Sequence, residues 1–119
     1  MRKMTSTNSR NRIVLGESCV LNDALGRLAL RWKMPVLHAI ANGATTYGEL
    51  RKVLSTVTHQ MLAKRLRELV DEGLALKIEG RRGEGPRYAA TPAAEAVLAI
   101  MRDICAWEKQ HTRRVAPAS

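Results

Sequence analysis

The sequence predicts a mainly α-helical domain with one small β-hairpin, and three observations lead there. Apolar residues recur at intervals of three and four along most of the chain, the spacing of a buried helix face. The period shortens to two at one place, Leu74 to Glu79, where a strand is expected. Aromatics make up only 3% of the residues and Phe is absent, so the core must be built from Leu, Val, Ile, Ala and Met. The unbranched members of that set favour helices. A chain of 119 residues that is 45% hydrophobic fits one packed domain.

Each element follows from local signals. Residues 1–18 are polar and basic and read as a loose N-terminal arm, and 112–119 as a loose tail. Between them, 19–111 form the domain. Asn22 can cap a first helix whose Leu21, Leu25, Leu28 and Trp32 share a face. Pro35 marks the first turn of a second helix, because its missing N–H costs nothing there. Val36, Leu37 and Ile40 are its inner face, and Asn42-Gly43 ends it.

Thr46-Tyr47-Gly48-Glu49 has the spacing of a capping box. A third helix therefore covers 46–54, with Leu50, Val53 and Leu54 inward. After a break at Ser55-Thr56-Val57, Thr58 caps a fourth helix that reaches Glu72 and stops at Gly73. Leu74, Leu76 and Ile78 are the inward positions of a strand. The loop Gly80 to Pro86 is a hairpin tip, and Arg87 to Ala90 returns. Thr91-Pro92 opens a last helix, with Val97, Leu98, Met101, Ile104 and Cys105 as its inner stripe. Helix three, a tight turn and helix four make a helix-turn-helix, and the hairpin after it makes a wing.

Composition narrows the function classes. A net charge of +9 favours a polyanionic partner such as nucleic acid or an anionic surface. No apolar run is long enough for a membrane span, and the N-terminus lacks a signal-peptide core. Two cysteines make no disulfide framework, which suits a cytoplasmic protein. Three scattered histidines give no metal spacing, and no phosphate-binding glycine loop is present. No cofactor and no enzymatic activity are expected.

On helix four, Leu62, Leu66 and Leu69 face inward, while Thr58, His59, Gln60, Ala63, Lys64 and Arg67 face out. The start of such a helix enters the major groove of double-stranded DNA. Gln60 can pair bidentately with adenine, His59 can donate to guanine N7 or to phosphate, and Ala63 allows close approach. Lys64 and Arg67 suit phosphate or guanine. A basic outer stripe also fits a merely solvated helix; the preceding helix and the following wing tip the reading toward DNA. Arg81, Arg82 and Arg87 of the wing suit the minor groove or flanking backbone, although a charged loop also keeps a sheet edge soluble. Arg87, at the strand start, has a structural reading as well, and Arg65 and Glu68 read as scaffold. Ile100, Ile104, Trp107 and His111 form a second stripe on the last helix, more apolar surface than one small domain uses. Cys105, on the apolar stripe, reads as a small core hydrophobe, and by spacing alone Cys19 is inert.

From Cys19 to about His111 the chain resembles the HxlR-type winged helix-turn-helix regulators, relatives of MarR-like regulators. The resemblance rests on Cys19, on Trp32-Lys33, and on Tyr47-Gly48-Glu49-Leu50-Arg51. It rests further on Met61-Leu62-Ala63-Lys64-Arg65-Leu66-Arg67-Glu68-Leu69 with Asp71-Glu72-Gly73-Leu74, and on Pro86-Arg87-Tyr88 with Thr91. Val20 departs from it, standing where the family usually has Pro. The resemblance implies a homodimer joined through the first and last helices, with Leu21 and Leu25 at the interface beside the second stripe. It implies a palindromic operator, and it aligns Cys19 with a cysteine that some members use to sense electrophiles or oxidants.

The expectation is therefore a cytoplasmic transcriptional repressor that binds double-stranded DNA as a homodimer, with an oxidant or small-molecule effector. Two alternatives stand beside it. One is a winged-helix module that binds protein without operator preference; the other is a regulator with a ligand pocket at the dimer interface.

Overall fold

The structure, a computed structural model, describes the backbone of residues 2–115 and the side chains of residues 10–112. The chain falls into two units, one ending at Arg31 and one beginning at Trp32. The first holds a single helix, α1 (Arg2–Leu28). Asn22, expected as its cap, lies in its interior, and residues 2–18 of the segment read as a loose arm fall within it; Met1 lies outside the described residues. From Arg2 to Ser18 there is no Pro and one Gly, so nothing breaks the helix earlier. Leu21 and Leu25 are exposed on α1, and Leu28 is half-buried.

The second unit runs α2 (Lys33–Ala41), α3 (Tyr47–Val53), α4 (His59–Asp71), β1 (Ala75–Ile78), β2 (Arg87–Ala90) and α5 (Pro92–Val115). The end of α5 takes in the first residues read as a loose tail; 116–119 lie outside the described residues. Trp32 does not continue the face of the first helix. It precedes α2 with a left-handed backbone, φ 73°, a conformation that is uncommon for a bulky residue. Val36, Leu37 and Ile40 of α2 are buried as expected.

Caps fix the helix starts. Thr46 Oγ1 accepts from the Glu49 N–H at 3.1 Å while Glu49 Oε1 accepts from the Thr46 N–H at 3.0 Å, closing the capping box. Thr58 Oγ1 accepts from the Met61 N–H at 3.1 Å and starts α4. Helix α4 ends in a Schellman turn: Leu74 N–H reaches Leu69 O and Gly73 N–H reaches Val70 O. That turn needs the φ of +75° that Gly73 adopts. Thr91 Oγ1 accepts from the Ala94 N–H and donates to Gly73 O at 2.7 Å, tying the start of α5 to the end of α4.

The core gathers Val36, Leu37, Leu50, Val57, Leu62, Leu66, Leu69 and Leu98. Helix α3 contributes less than its spacing suggests. Leu50 is fully buried, but Leu54 is only half-buried and Val53 is 62% exposed. The helix is a short one, and Val57 in the following turn fills the core instead. Strand β1 also departs from expectation at Leu76 and Ile78. Leu74 belongs to the Schellman turn, so the pleat begins at Ala75; Ala75 faces in, and Leu76 and Ile78 are exposed. Leu74 is still buried, within that turn, and Lys77 is exposed like Leu76 and Ile78, so only Ala75 of β1 reaches the core. Tyr88, opposite Lys77 in the antiparallel pair, supplies buried bulk in their place.

The last helix departs in a way that bears on assembly. Ala94 and Leu98 are buried and Val97 and Met101 half-buried, but Ile104 and Cys105, expected inside, are exposed. From Arg102 to Thr112 every residue is exposed. At about 1.5 Å per residue, α5 outruns the small body it packs on.

A buried ion pair locks α2 to α4. Lys33 has no exposed surface, and its Nζ lies 2.7 Å from Glu72 Oε2 and 4.0 Å from Glu68 Oε1. Arg65, only 6% exposed, binds Glu68 at 2.8 Å. Arg65 and Glu68 therefore belong to the scaffold.

Candidate nucleic-acid interface

Helix α4 is fastened by one face and open on the other. Leu62, Leu66 and Leu69 are buried, whereas Thr58, His59, Gln60, Ala63, Lys64 and Arg67 are all exposed. Two full turns of polar and basic side chains therefore lie on the helix that follows the tight turn. This is the helix that a helix-turn-helix inserts into the major groove.

The turn before α4 is short and bonded, with Val57 N–H to Leu54 O at 3.0 Å. Tyr47, the first residue of α3, reaches across it to His59, the first residue of α4. The rings stack with centroids 5.7 Å apart and planes 10° from parallel. Tyr47 Oη donates to His59 O at 3.0 Å and lies 3.1 Å from His59 Nδ1. His59 is thus held in place by Tyr47. Sequence reasoning places Tyr47 in the capping box and assigns it no role in this surface; the only signal is an aromatic one position past the cap.

The wing is anchored to the same region. Tyr88 N–H bonds Thr45 O at 2.8 Å, Thr46 and Arg87 form a bridge, and Arg87 Nη1 donates to Thr45 Oγ1 at 3.4 Å. Arg87 thus has a structural contact while remaining exposed. At the tip, Glu84 N–H closes a turn on Arg81 O at 2.8 Å, with Gly83 at φ 87°. Across the loop, Gly80 approaches the backbone of Gly85 so closely that a Cβ would strike the Gly85 carbonyl oxygen. Arg81 and Arg82 lie in this turn, both exposed. Between α4 and the wing root lies a cavity of about 260 Å³ lined by Tyr47, Ala63, Arg67, Asp71, Lys77 and Tyr88. Lys77 adds a cation beside Arg67 that the alternation pattern marks only as solvent-facing.

The remaining candidate residues lie apart from this surface. Ile100, Ile104 and Trp107 form an exposed apolar line on α5, with His111 stacked on Trp107 at 4.4 Å. Cys19 on α1 and Cys105 on α5 are both exposed free thiols. Among the described residues no cluster could hold a metal, and no helix is long and apolar enough to cross a membrane.

Comparison with known proteins matches this geometry. The HTH-type regulator YkvN of Bacillus subtilis, an uncharacterised protein, is 31% identical over 78 residues, 65% of this chain. The match spans 66% of YkvN, just under two thirds of its length. A solved structure described as a MarR-family transcriptional regulator from Enterococcus faecalis V583 superposes with a TM-score of 0.75 at 25% identity. It covers 85% of this chain and 93% of that one. Reduced YodB, a transcriptional regulator of Bacillus subtilis, shares the fold with a TM-score of 0.69 at 21% identity, over 82% of this chain and 94% of its own. YodB has also been solved diamide-treated and quinone-bound. The HxlR-like helix-turn-helix profile matches residues 27–116, from the end of α1 to the end of α5. With its fold, its exposed α4 face and this match, the chain belongs to the HxlR-like helix-turn-helix family of transcriptional regulators.

Proposed function

We propose that the chain is a sequence-specific DNA-binding repressor that acts as a homodimer on a palindromic operator. One observation carries the reading: the outer face of α4, from Thr58 to Arg67, is exposed on a helix whose other face is fully buried. Gln60, Ala63 and Lys64 read bases near the helix start, Lys64 and Arg67 also reach phosphate, and the wing arginines Arg81, Arg82 and Arg87 grip the flanking backbone.

The dimer reading rests on the apolar stripe of α5. Ile100, Ile104 and Trp107 are 60%, 54% and 57% exposed, with Leu21 and Leu25 of α1 exposed as well. Apolar area left in water forgoes about 25 cal/mol per Å², and a second copy can cover identical stripes by twofold symmetry. A dimer places two copies of α4 roughly 34–36 Å apart, one turn of DNA. A repressor of this kind acts by occupying promoter DNA.

Cys19 is the proposed sensor. It is an exposed thiol, and the fold is shared with YodB, which has been captured in diamide-treated and quinone-bound forms. Reaction at Cys19 would alter the dimer and so the spacing of the two α4 helices. Footprinting of the chain on genomic fragments tests the function directly. Two protected half-sites about one helical turn apart are expected, and uniform protection of every fragment would refute it.

A further inference from the structure

We infer that Tyr47 sets His59 as a fixed hydrogen-bond acceptor, so that His59 reads a base presenting an exocyclic amino group, cytosine N4 or adenine N6. The inference rests on the reading of α4 as the DNA-reading helix and specifies what one of its residues recognises.

Tyr47 Oη lies 3.0 Å from His59 O and 3.1 Å from His59 Nδ1. A carbonyl oxygen can only accept, and two oxygens at that distance repel unless a proton lies between them. The single hydroxyl proton of Tyr47 therefore points to His59 O. A lone pair of Oη is left facing Nδ1, and only a protonated Nδ1 makes that contact a bond. The neutral imidazole is then the Nδ1–H tautomer, and Nε2 carries a lone pair. No described residue hydrogen-bonds Nε2, and the side chain is exposed at the first residue of α4. A ring flip exchanging the two nitrogens would carry Nδ1 away from Tyr47 Oη and break the 3.1 Å contact.

An acceptor at this place has a definite preference. In the major groove guanine offers N7 and O6, and thymine O4 and its methyl group, none of which donates. Only cytosine and adenine present N–H donors there. Phosphate oxygens also only accept. By residue type alone His59 reads as a donor to guanine N7 or phosphate; Tyr47 reverses the direction of that bond. Tyr47 is thus a positioning residue that acts on specificity through His59.

The test uses the full chain in selection from random duplex DNA, with Tyr47→Phe and His59→Ala beside the wild type. Long-range ¹⁵N–¹H NMR of the His59 ring accompanies it. The ring should show the Nδ1–H tautomer, and one position per half-site should be enriched in A or C. Replacing that base by its amino-deleted analogue, purine or pyrimidin-2-one, should weaken wild-type binding about tenfold and His59→Ala binding little. Which analogue has the effect distinguishes adenine from cytosine. Tyr47→Phe keeps the stacked ring, frees the tautomer and should admit G at that position. An Nε2–H tautomer, a preference for G or T there, or an unchanged motif in His59→Ala overturns the inference. If the wild type selects a motif without this amino-dependent position, the inference alone fails. If it selects no motif at all, the DNA-reading assignment of α4 fails with it.

Discussion

Replacing Lys33 by Met removes one charge from the junction that sets α4 against α2. The aliphatic stem is preserved, so packing changes little and the charge effect is isolated. The Lys33–Glu72 contact of 2.7 Å has a gross attraction of about 6 kcal/mol at an effective dielectric of about 20. Desolvation of both ions offsets much of this, and the cost of removing one partner of a buried pair is about 3–5 kcal/mol. Glu72 would be left without the ammonium that Oε2 binds, and its Oε1 has no hydrogen-bond partner even in the wild type. Its side chain is 22% exposed and can draw water, so a loss near the low end, about 3 kcal/mol, is expected. Urea unfolding reads it as a lower midpoint with an unchanged slope. Adding Glu72→Met should restore most of the loss, because an apolar pair replaces an orphaned charge. A single variant within about 1 kcal/mol of wild type, or a double variant showing the simple sum of two losses, would mean that the ion pair does not hold α2 to α4.

Three further outcomes are expected. The N–H groups of Thr45, then Thr46, hold the Glu49 carboxyl below its ordinary value. A depressed folded-state pKa gives stability that is present above the unfolded value and lost as pH falls through the folded one. Thermal melts should therefore show Glu49→Gln less stable than wild type at neutral pH, with the gap closing on acidification; a constant gap would mean the charge is irrelevant. Arg81→Ala with Arg82→Ala should lower the slope of log affinity against log salt by about 0.9 for each phosphate no longer neutralised, and an unchanged slope removes the tip from the DNA. Cys19→Ser should abolish release from DNA by diamide, and a variant that still responds acquits this thiol.

The starts of α3, α4 and α5 are legible because their signals are local, whereas Asn22 lies inside α1 and caps nothing. Thr46, Thr58 and Thr91 each cap the helix that follows them, and Leu62, Leu66 and Leu69 are buried as their spacing requires. The remaining errors fall where a side chain's environment depends on distant parts of the chain. Leu76 and Ile78 alternate as strand residues should, but of β1 only Ala75 is buried, so neither meets the core. Val53 and Cys105 lie on apolar stripes, yet α3 is short and α5 extends beyond the body, so neither meets a core. At the candidate interface, exposure of the α4 residues follows from periodicity, whereas the clamp of Tyr47 on His59 joins residues 12 apart through a turn whose geometry no spacing rule supplies.

Under the proposed function, the outer face of α4 distinguishes DNA sequences. The direct measurement is competition between the footprinted operator and a scrambled duplex of equal length at fixed salt. The full chain should prefer the operator by about 10³-fold or more, and Gln60→Ala should narrow this preference by weakening operator binding alone. Equal affinity for both duplexes, or equal weakening on both by Gln60→Ala, would contradict it.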